Sequence, residues 1–252
     1  MSLFDLSGRT ALVTGGARGI GLAIARGLGR HGAAVIIAEI DEDAGAAAVA
    51  ELQGEGLDAS LLPVDVTDPA SVETAFGRGA AERDFRILVN NAGMSQRTPA
   101  ERYPDDDLER ILTLNVKGVF HCMRSAASRW ISSGGGGAIV NLASFAGVVA
   151  DPLSAPYAAT KGAVVQLTRT CAVEWAKHGI RVNAIGPGYV RTRMTKGALD
   201  EPGTRAKVLA ATPLGRVAEP DDLAGAAVFL SSAASEYVTG HVLMVDGGWT
   251  AL

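Results

Sequence analysis

The sequence predicts an α/β fold in which a doubly wound, seven-stranded parallel sheet is flanked by helices. Short β-branched runs alternate with longer alanine-rich stretches of helical periodicity, and this rhythm continues to the C-terminus. Strand–helix–strand repeats of this kind require right-handed crossovers and a parallel sheet covered on both faces. Apolar residues make up 48% of the 252-residue chain but aromatics only 5%, which favours helices packed tightly on a sheet. Because no composition break marks a linker and no repeat occurs, we expect a single domain spanning residues 1–252.

The individual elements follow from the local pattern. Strands are predicted where β-branched and apolar residues cluster between turn residues, at residues 10–14, 34–39, 60–63, 87–90, 138–142, 181–185 and 242–245. Helices are predicted where apolar residues recur at helical spacing, at residues 19–31, 43–53, 70–83, 106–131, 157–178 and 221–230. The helix at 157–178 has the clearest ends, because Pro156 precedes it and Gly179 follows it.

Residues 186–211 interrupt the rhythm. This stretch is rich in Gly, Pro, Thr and charged residues and has little periodicity, and irregular segments of such length are usually disordered or functional lids. Because it follows the sixth strand, it lies at the carboxyl edge of the sheet, where doubly wound folds bind their ligands. We therefore expect an irregular lid over a binding site.

Composition and charge exclude several classes of function. The net charge is −4 and no basic stripe occurs, so we expect no nucleic-acid partner. The four histidines lie far apart without a second ligand at metal spacing, so we expect no metal. Apolar runs are too short to span a bilayer, and Cys122 and Cys171 are too few for a disulfide framework. With no signal-peptide pattern, these features predict a cytoplasmic protein without a membrane partner.

The first strand runs directly into the glycine-rich turn TGGARGIG at residues 14–21. Gly15, Gly19 and Gly21 allow a tight turn and let a pyrophosphate approach the backbone, and the helix N-terminus behind them offers free N–H groups. The strand before the turn and the helix after it supply the context that a dinucleotide-binding turn requires. The sequence therefore predicts a dinucleotide cofactor with contacts to Gly15, Arg18, Gly19, Ile20 and Gly21.

The acidic residue Glu39 ends the second strand, eighteen residues after Gly21. It could accept hydrogen bonds from both hydroxyls of an adenosine ribose, or it could be a solvated acid at a strand end. Three further acids at 41–43 are expected to serve the N-terminus of the next helix. Together the four acids would repel the 2′-phosphate that distinguishes NADP from NAD, whereas the Arg18 side chain could reach that phosphate. We therefore expect NAD to be preferred and NADP to be possible.

Two turns after later strands are further candidates for cofactor contact. Asp65 and Val66 follow the third strand and could meet the adenine edge, although residues 65–68 could equally form an ordinary turn that caps the next helix. Asn91, Ala92 and Gly93 follow the fourth strand, where small residues would let the backbone pass close to the cofactor.

The pair Tyr157 and Lys161 is the candidate for proton transfer. Four residues apart on a helix, both side chains project from the same side of its first turns. A tyrosine has a reference pKa of about 10, and a nearby ammonium group together with an oxidised nicotinamide would lower that pKa toward the range of a general base.

Two more polar residues accompany this pair. Ser144 follows the fifth strand, thirteen residues before Tyr157, and its hydroxyl could hold a substrate oxygen while charge develops there; alternatively it is a cap or loop serine. Asn115 is a poor helix former in the middle of a predicted helix. It could bend the helix, hold a water that relays protons from Lys161, or bond a neighbouring strand.

With these motifs, the chain resembles the short-chain dehydrogenase/reductase family over its whole length. The matching pieces are Thr14–Gly21, Asn90–Gly93, Asn115, Ser144, Tyr157 with Lys161, Asn183, Pro187-Gly188 and Val245–Gly248. The resemblance implies a Rossmann-like fold, a homotetramer and a catalytic tetrad of Asn115, Ser144, Tyr157 and Lys161. The cofactor contacts it implies are Asp65, Val66, Asn91, Tyr157, Lys161, Pro187, Gly188, Val190 and Thr192. Members that prefer NAD usually carry Asp where Glu39 stands, which weakens the predicted preference.

The substrate is predicted only by class. Pocket walls are expected from residues 94–97, 145–153 and 189–211, which mix apolar groups with Gln96, Arg97, Asp151 and Arg191. A polyol, a sugar or another small secondary alcohol suits this mixture. One alternative is an NADPH-dependent 3-oxoacyl-thioester (acyl-carrier protein) reductase, which the acids at 39–43 disfavour. Another is a non-catalytic nucleotide-binding regulator, which the intact tetrad disfavours.

Overall fold

The computed structural model describes residues 2–79 and 84–252. Within them, seven strands form one all-parallel sheet in the order β3-β2-β1-β4-β5-β6-β7, as predicted. The strands are β1 Thr10–Thr14, β2 Ala34–Glu39, β3 Ala59–Pro63, β4 Ile87–Asn90, β5 Gly137–Leu142, β6 Ile180–Pro187 and β7 Val242–Val245. Four have the predicted bounds, β3 and β5 begin one residue earlier, and β6 begins one residue earlier and ends two residues later.

In the described residues, all the α-helices except α7 and α8 lie where the sequence predicts helices, with two differences in their regularity. The α-helices are α1 Gly19–Arg30, α2 Glu42–Gly54, α3 Pro69–Thr74, α4 Asp105–Leu112, α5 Val119–Ser132, α6 Ala155–Trp175, α7 Arg193–Asp200, α8 Pro202–Ala211 and α9 Ala224–Ser231. The long helix predicted at 106–131 is interrupted by a π-helical turn, Thr113–Gly118, which separates α4 from α5. The helix predicted at 70–83 is α3 followed by a π-helical turn, Ala75–Gly79, and its last residues, 80–83, lie outside the described residues.

The prediction of an irregular stretch at 186–211 is wrong. Residues 186 and 187 complete β6, and most of the remainder forms α7 and α8. The start of α8 carries a cap signal, because the Glu201 carboxylate accepts the backbone N–H groups of Gly203 (2.9 Å) and Thr204 (2.5 Å) while Pro202 begins the helix. Leu199 and Val208 are buried together in a small core of their own. These short helices depend on that packing rather than on a long periodic pattern.

The sheet has a hydrophobic core on each face. One face packs against α5 and α6 through side chains such as Trp130 and Val164, and the other packs against α1 and α9 through Leu28 and Val228. The strand order reverses at β1, which pairs with β2 on one side and β4 on the other. Ligands of doubly wound sheets bind beyond the carboxyl ends of the strands at such a point.

None of the helices in the described part of the chain is both long and apolar enough to cross a membrane. No group of three or more His, Cys, Asp or Glu side chains could hold a metal ion there. Cys122 and Cys171 are free and buried.

Candidate active site

The glycine turn between β1 and α1 is hydrogen-bonded to the turn after β4. Gly15 and Gly19 have φ of +60° and +54°, a region that other residues rarely adopt. The Thr14 hydroxyl accepts the backbone N–H groups of Asn91 (3.1 Å) and Ala92 (3.2 Å). In return, the Asn91 side-chain amide donates to the Gly15 carbonyl at 2.8 Å. The two turns therefore form one unit at the crevice.

Gly21 is required by packing. A Cβ at this position would lie 2.3 Å from the Gly15 carbonyl oxygen and 2.5 Å from the Asn91 side-chain nitrogen, which is closer than van der Waals contact permits. The residue lies behind the crevice rather than in its lining. Its predicted contact with a cofactor stays a prediction, but the structure gives a separate reason for glycine here.

The N-terminus of α1 faces a cleft of about 510 Å³. Arg18 is the N-cap residue and makes no side-chain capping bond, so the first N–H groups of the helix remain available to an anionic group. The predicted residues that line this cleft are Gly15, Arg18, Gly19, Ile20, Glu39, Asp65, Val66, Asn91, Ala92, Gly93 and Thr192. The cleft therefore has the donors and the open backbone that a dinucleotide needs.

At the far end of this cleft the predicted charges are present but already engaged. The Glu39 carboxylate accepts the backbone N–H groups of Ala17 (3.4 Å) and Ile40 (3.1 Å). Asp41 caps α2 through the N–H group of Ala44 at 3.0 Å, as predicted, and it also accepts a 2.7 Å hydrogen bond from the Arg18 guanidinium. Arg18, the cation expected to reach a 2′-phosphate, is thus paired with an acid.

The turn after β3 makes ordinary turn hydrogen bonds and also lines the cleft, whereas its contact with an adenine edge stays a prediction. Asp65 accepts hydrogen bonds from the Thr67 backbone (2.8 Å) and hydroxyl (2.7 Å), while Asp68 caps α3 through Ala70 at 2.9 Å. Asp65 and Val66 nevertheless line the cleft. Ordinary turn chemistry and exposure to a ligand coexist here.

A second, smaller cavity of about 110 Å³ lies at the reacting end. Ser144, Tyr157 and Lys161 line it. The predicted cofactor contacts that also line it are Ile20, Asn91, Gly93, Pro187, Gly188, Val190 and Thr192. Because Ile20, Asn91, Gly93 and Thr192 line both spaces, the two are neighbouring parts of one crevice.

Tyr157 and Lys161 lie together as predicted, and burial governs both. The Lys161 ammonium group is 5.6 Å from the centre of the Tyr157 ring and donates to the Leu142 carbonyl at 2.6 Å. Burial lowers the pKa of Lys161 to about 8. Burial also raises the pKa of Tyr157 to about 12, although a hydrogen bond with Ser144 opposes the rise. In the protein alone the pKa of Tyr157 is therefore raised by burial, and a lowered pKa stays a prediction for the complex with oxidised cofactor.

Asn115 lies in the π-helical turn and is fully buried. Its side chain accepts the Met94 N–H group (2.9 Å) and donates to the Met94 carbonyl (2.8 Å) and the Thr160 hydroxyl (3.2 Å). Asn115 lines neither cavity. The helix is irregular at this residue, as the sequence suggested. The amide bonds the loop after β4 and helix α6 rather than a neighbouring strand.

Sequence reasoning missed several residues of the crevice. Thr14 holds two turns together through its hydroxyl, and Leu114, Ala38 and Val64 line the cleft. Met194 and Thr195 also line the crevice, as expected for the stretch 189–211. Met194 is half exposed at the start of α7. No local signal separates these residues from ordinary strand or helix positions, since their roles arise from elements that meet only in the fold.

Comparisons with known proteins agree with this architecture. The family model described as enoyl-(acyl carrier protein) reductase matches residues 15–250. Gluconate 5-dehydrogenase of Gluconobacter oxydans (strain 621H) is 43% identical over 251 residues, covering 98% of this chain and 97% of that protein. The chain belongs to the short-chain dehydrogenase/reductase family. The resemblance seen in the sequence motifs is thereby confirmed, and the chain is an NAD(P)-dependent oxidoreductase that acts on CH–OH groups.

Other members of the family differ in their substrates. Galactitol 2-dehydrogenase (L-tagatose-forming) of Cereibacter sphaeroides is 41% identical, with 99% of this chain and 98% of that protein covered. A solved gluconate 5-dehydrogenase from Burkholderia cenocepacia J2315, in complex with NADP and tartrate, is 40% identical. It superposes with a TM-score of 0.94 over 99% of this chain and 98% of that one. These similar proteins thus include one named for a polyol and two named for a sugar acid.

Proposed function

We propose that this chain interconverts a secondary alcohol of a small polyol or sugar-type compound and the corresponding ketone. Bound NAD(P) supplies the hydride acceptor or donor. When the alcohol is oxidised, the carbinol carbon loses a hydride and the hydroxyl loses a proton to the Tyr157 oxygen; in reduction Tyr157 returns that proton. The observation that carries the proposal is the shared cavity of Ser144, Tyr157 and Lys161, adjacent to a cleft that begins at the glycine turn.

Each member of the tetrad has a distinct part in this proposal. Tyr157 moves the proton, and Ser144 holds the substrate oxygen as charge develops on it. Lys161 binds the nicotinamide ribose and favours the phenolate form of Tyr157. Asn115 acts indirectly, because its side-chain amide positions the Met94 backbone at the wall of the cavity.

The dinucleotide is proposed to lie along the crevice from β2 to β6. The free N–H groups at the start of α1 suit the pyrophosphate, Glu39 suits the adenosine ribose, and Asp65 with Val66 suits the adenine edge. The predicted preference for NAD rests on the acidic run at 39–43. The NADP in the Burkholderia relative favours use of the phosphorylated cofactor as well, so we propose that the chain accepts both.

The proposal is tested by replacing Tyr157 with Phe. A panel of polyols, sugar acids, simple secondary alcohols and 3-oxoacyl thioesters is screened by the absorbance of the reduced cofactor. For the alcohol that the wild-type protein oxidises, Tyr157→Phe should reduce kcat by about 10²- to 10⁴-fold while cofactor binding persists. Tyr237→Phe is the matched control, because the Tyr237 side chain is fully exposed and lines neither part of the crevice.

Undiminished turnover by Tyr157→Phe would overturn the assignment of the proton donor. If the wild-type protein binds cofactor but turns over nothing in the panel, the chain is a nucleotide-binding regulator instead. If only the 3-oxoacyl thioester is turned over, the acyl-carrier class replaces the polyol class.

We further propose that the chain acts as one catalytic domain within a homotetramer. The single sheet that runs from β1 to β7 supports the first part. Exposed apolar side chains on the two long helices, Phe120 on α5 and Val173 on α6, support the second. The free cysteines suit the predicted cytoplasmic location. Light scattering should give four times the 25.9 kDa mass of the chain, and a monomer mass would contradict the tetramer.

A further inference from the structure

A cluster of four polar side chains joins three loops at the carboxyl edge of the sheet. This rim cluster consists of Arg97 after β4, Asp151 and Ser154 between β5 and α6, and Tyr189 after β6. Arg97 donates to an Asp151 carboxylate oxygen at 3.1 Å, and the Ser154 hydroxyl donates to the same oxygen at 2.9 Å. The Tyr189 hydroxyl donates to the other oxygen at 3.2 Å. Asp151 is therefore fully engaged from three directions.

The rim cluster adjoins the reacting end. Ser154 is the N-cap residue of α6, the helix that carries Tyr157. The Tyr189 ring packs against Phe145, which directly follows Ser144, with ring centres 5.4 Å apart. The negative charge of Asp151 also reaches the active site, where it contributes to the raised pKa of Tyr157. The rim cluster therefore lies beside the site at which Ser144 and Tyr157 would hold a substrate.

The charge of the cluster is balanced before any substrate arrives. Only 11% of the Asp151 side chain and 32% of the Arg97 side chain are exposed, so the pair is shielded from solvent more than a surface ion pair is. A guanidinium is the side chain best suited to bind a substrate carboxylate through paired hydrogen bonds. Here the Arg97 guanidinium is already hydrogen-bonded to Asp151. A second carboxylate brought to Arg97 would also face the negative charge of Asp151.

Resting on the proposed function and going one step beyond it, we propose that Asp151 makes this enzyme select neutral polyols or sugars over sugar acids. Hydroxyl groups of a neutral substrate can hydrogen-bond to the rim cluster without displacing the ion pair. A sugar acid must either compete with Asp151 for Arg97 or leave its own carboxylate beside another, and like charges in contact are strongly unfavourable. Asp151 is thus a specificity-determining residue rather than a catalytic one.

The test compares a hexitol with a hexonate of the same length, galactitol and gluconate, in the presence of cofactor. The wild-type enzyme should have kcat/KM for galactitol at least about tenfold above that for gluconate. In Asp151→Asn the ratio should move toward gluconate by about tenfold or more, chiefly through KM, because Arg97 loses its competing acid.

Two further variants serve as controls. The asparagine oxygen of Asp151→Asn can still accept a hydrogen bond from Ser154, and adding Arg97→Gln should cancel the gain in gluconate turnover. Glu55→Gln, which removes an acid paired with Arg26 and Arg30 far from the crevice, should leave the ratio unchanged.

A binding measurement makes the inference independent of turnover. Calorimetric titration of tartrate, a small dicarboxylate, into the complex with cofactor should show weak binding to the wild-type protein and binding at least about tenfold tighter to Asp151→Asn. The inference would be overturned by any of three results: a wild-type preference for gluconate, an unchanged substrate ratio in Asp151→Asn, or equal tartrate affinity in the two proteins. If Asp151→Asn melts early, Asp151→Ser provides the same charge change. Failure to oxidise any alcohol would instead refute the proposed function, and the tartrate titration would still decide the role of Asp151.

Discussion

At the scale of the residue, Lys161 shows how a buried charge is retained at a reacting centre. Only 6% of the residue is exposed, and its ammonium group donates to the Leu142 carbonyl at the end of β5. One such hydrogen bond does not offset the loss of hydration, so the pKa falls from 10.5 to about 8. The protein thus keeps at neutral pH a charge that destabilises its own fold.

The lowered pKa of Lys161 predicts that the stability of the fold depends on pH. Because the pKa of Lys161 is lower in the folded state, the unfolded chain binds more protons between pH 8 and 10.5 and the free energy of unfolding rises with pH across that window. Urea unfolding of the cofactor-free protein at pH 7 and 9.5 should therefore show wild type gaining about 2 kcal/mol relative to Lys161→Met. A difference between the two proteins that is the same at both pH values would contradict this account.

At the scale of the element, the junction of α4 and α5 places a polar side chain inside the core. The π-helical turn Thr113–Gly118 shifts the helix so that Asn115 is buried. Its amide satisfies both backbone groups of Met94 and reaches Thr160 on α6. One residue thereby ties together the interrupted helix, the loop after β4 and the helix that carries Tyr157.

Replacing Asn115 with Ala should therefore cost more than a typical helix substitution. The Met94 N–H and carbonyl groups would lose their partner, and each unsatisfied buried group costs about 1 to 3 kcal/mol. We expect the free energy of unfolding to fall by at least about 1 kcal/mol and kcat to fall as the cavity wall loosens. Ser128→Ala, at an exposed position of α5, is the matched control and should change neither. Equal stability of the two variants would refute the tying role.

At the scale of the whole molecule, the crevice is assembled from segments that are distant in sequence. The glycine turn at residue 15 and Thr192 at the start of α7 line the same cleft, and a Cβ on Gly19 would lie 3.6 Å from the Thr192 methyl group. A dinucleotide would therefore contact turns after four strands and the start of α7 at once. A ligand that binds only this assembled state raises the stability of the whole fold by mass action.

Cofactor preference can be measured through that stabilisation. Removing the acid that holds Arg18, in Asp41→Asn, frees the guanidinium for a 2′-phosphate. We expect the affinity for NADP relative to NAD to rise by about tenfold, as one charge-assisted hydrogen bond is worth about 1.4 kcal/mol or more. Melting temperatures at matched concentrations of NAD and NADP report the change. Asp43→Asn removes a charge from the same acidic run but leaves the Arg18–Asp41 pair intact, and an equal shift in both variants would show that only net charge matters.

The sequence by itself determined the strands, the glycine turn and the Tyr157–Lys161 pair, because local periodicity, turn chemistry and spacing within one helix specify them. It did not specify α7 and α8, whose short apolar faces are buried only against each other and neighbouring segments. Nor did it reveal that Asp151 holds Arg97, since these residues lie on loops that meet only when β4 and β5 pair. Chemistry carried by one segment was predictable from the sequence. Contacts between segments, which set charge, burial and specificity, were decided only by the tertiary structure.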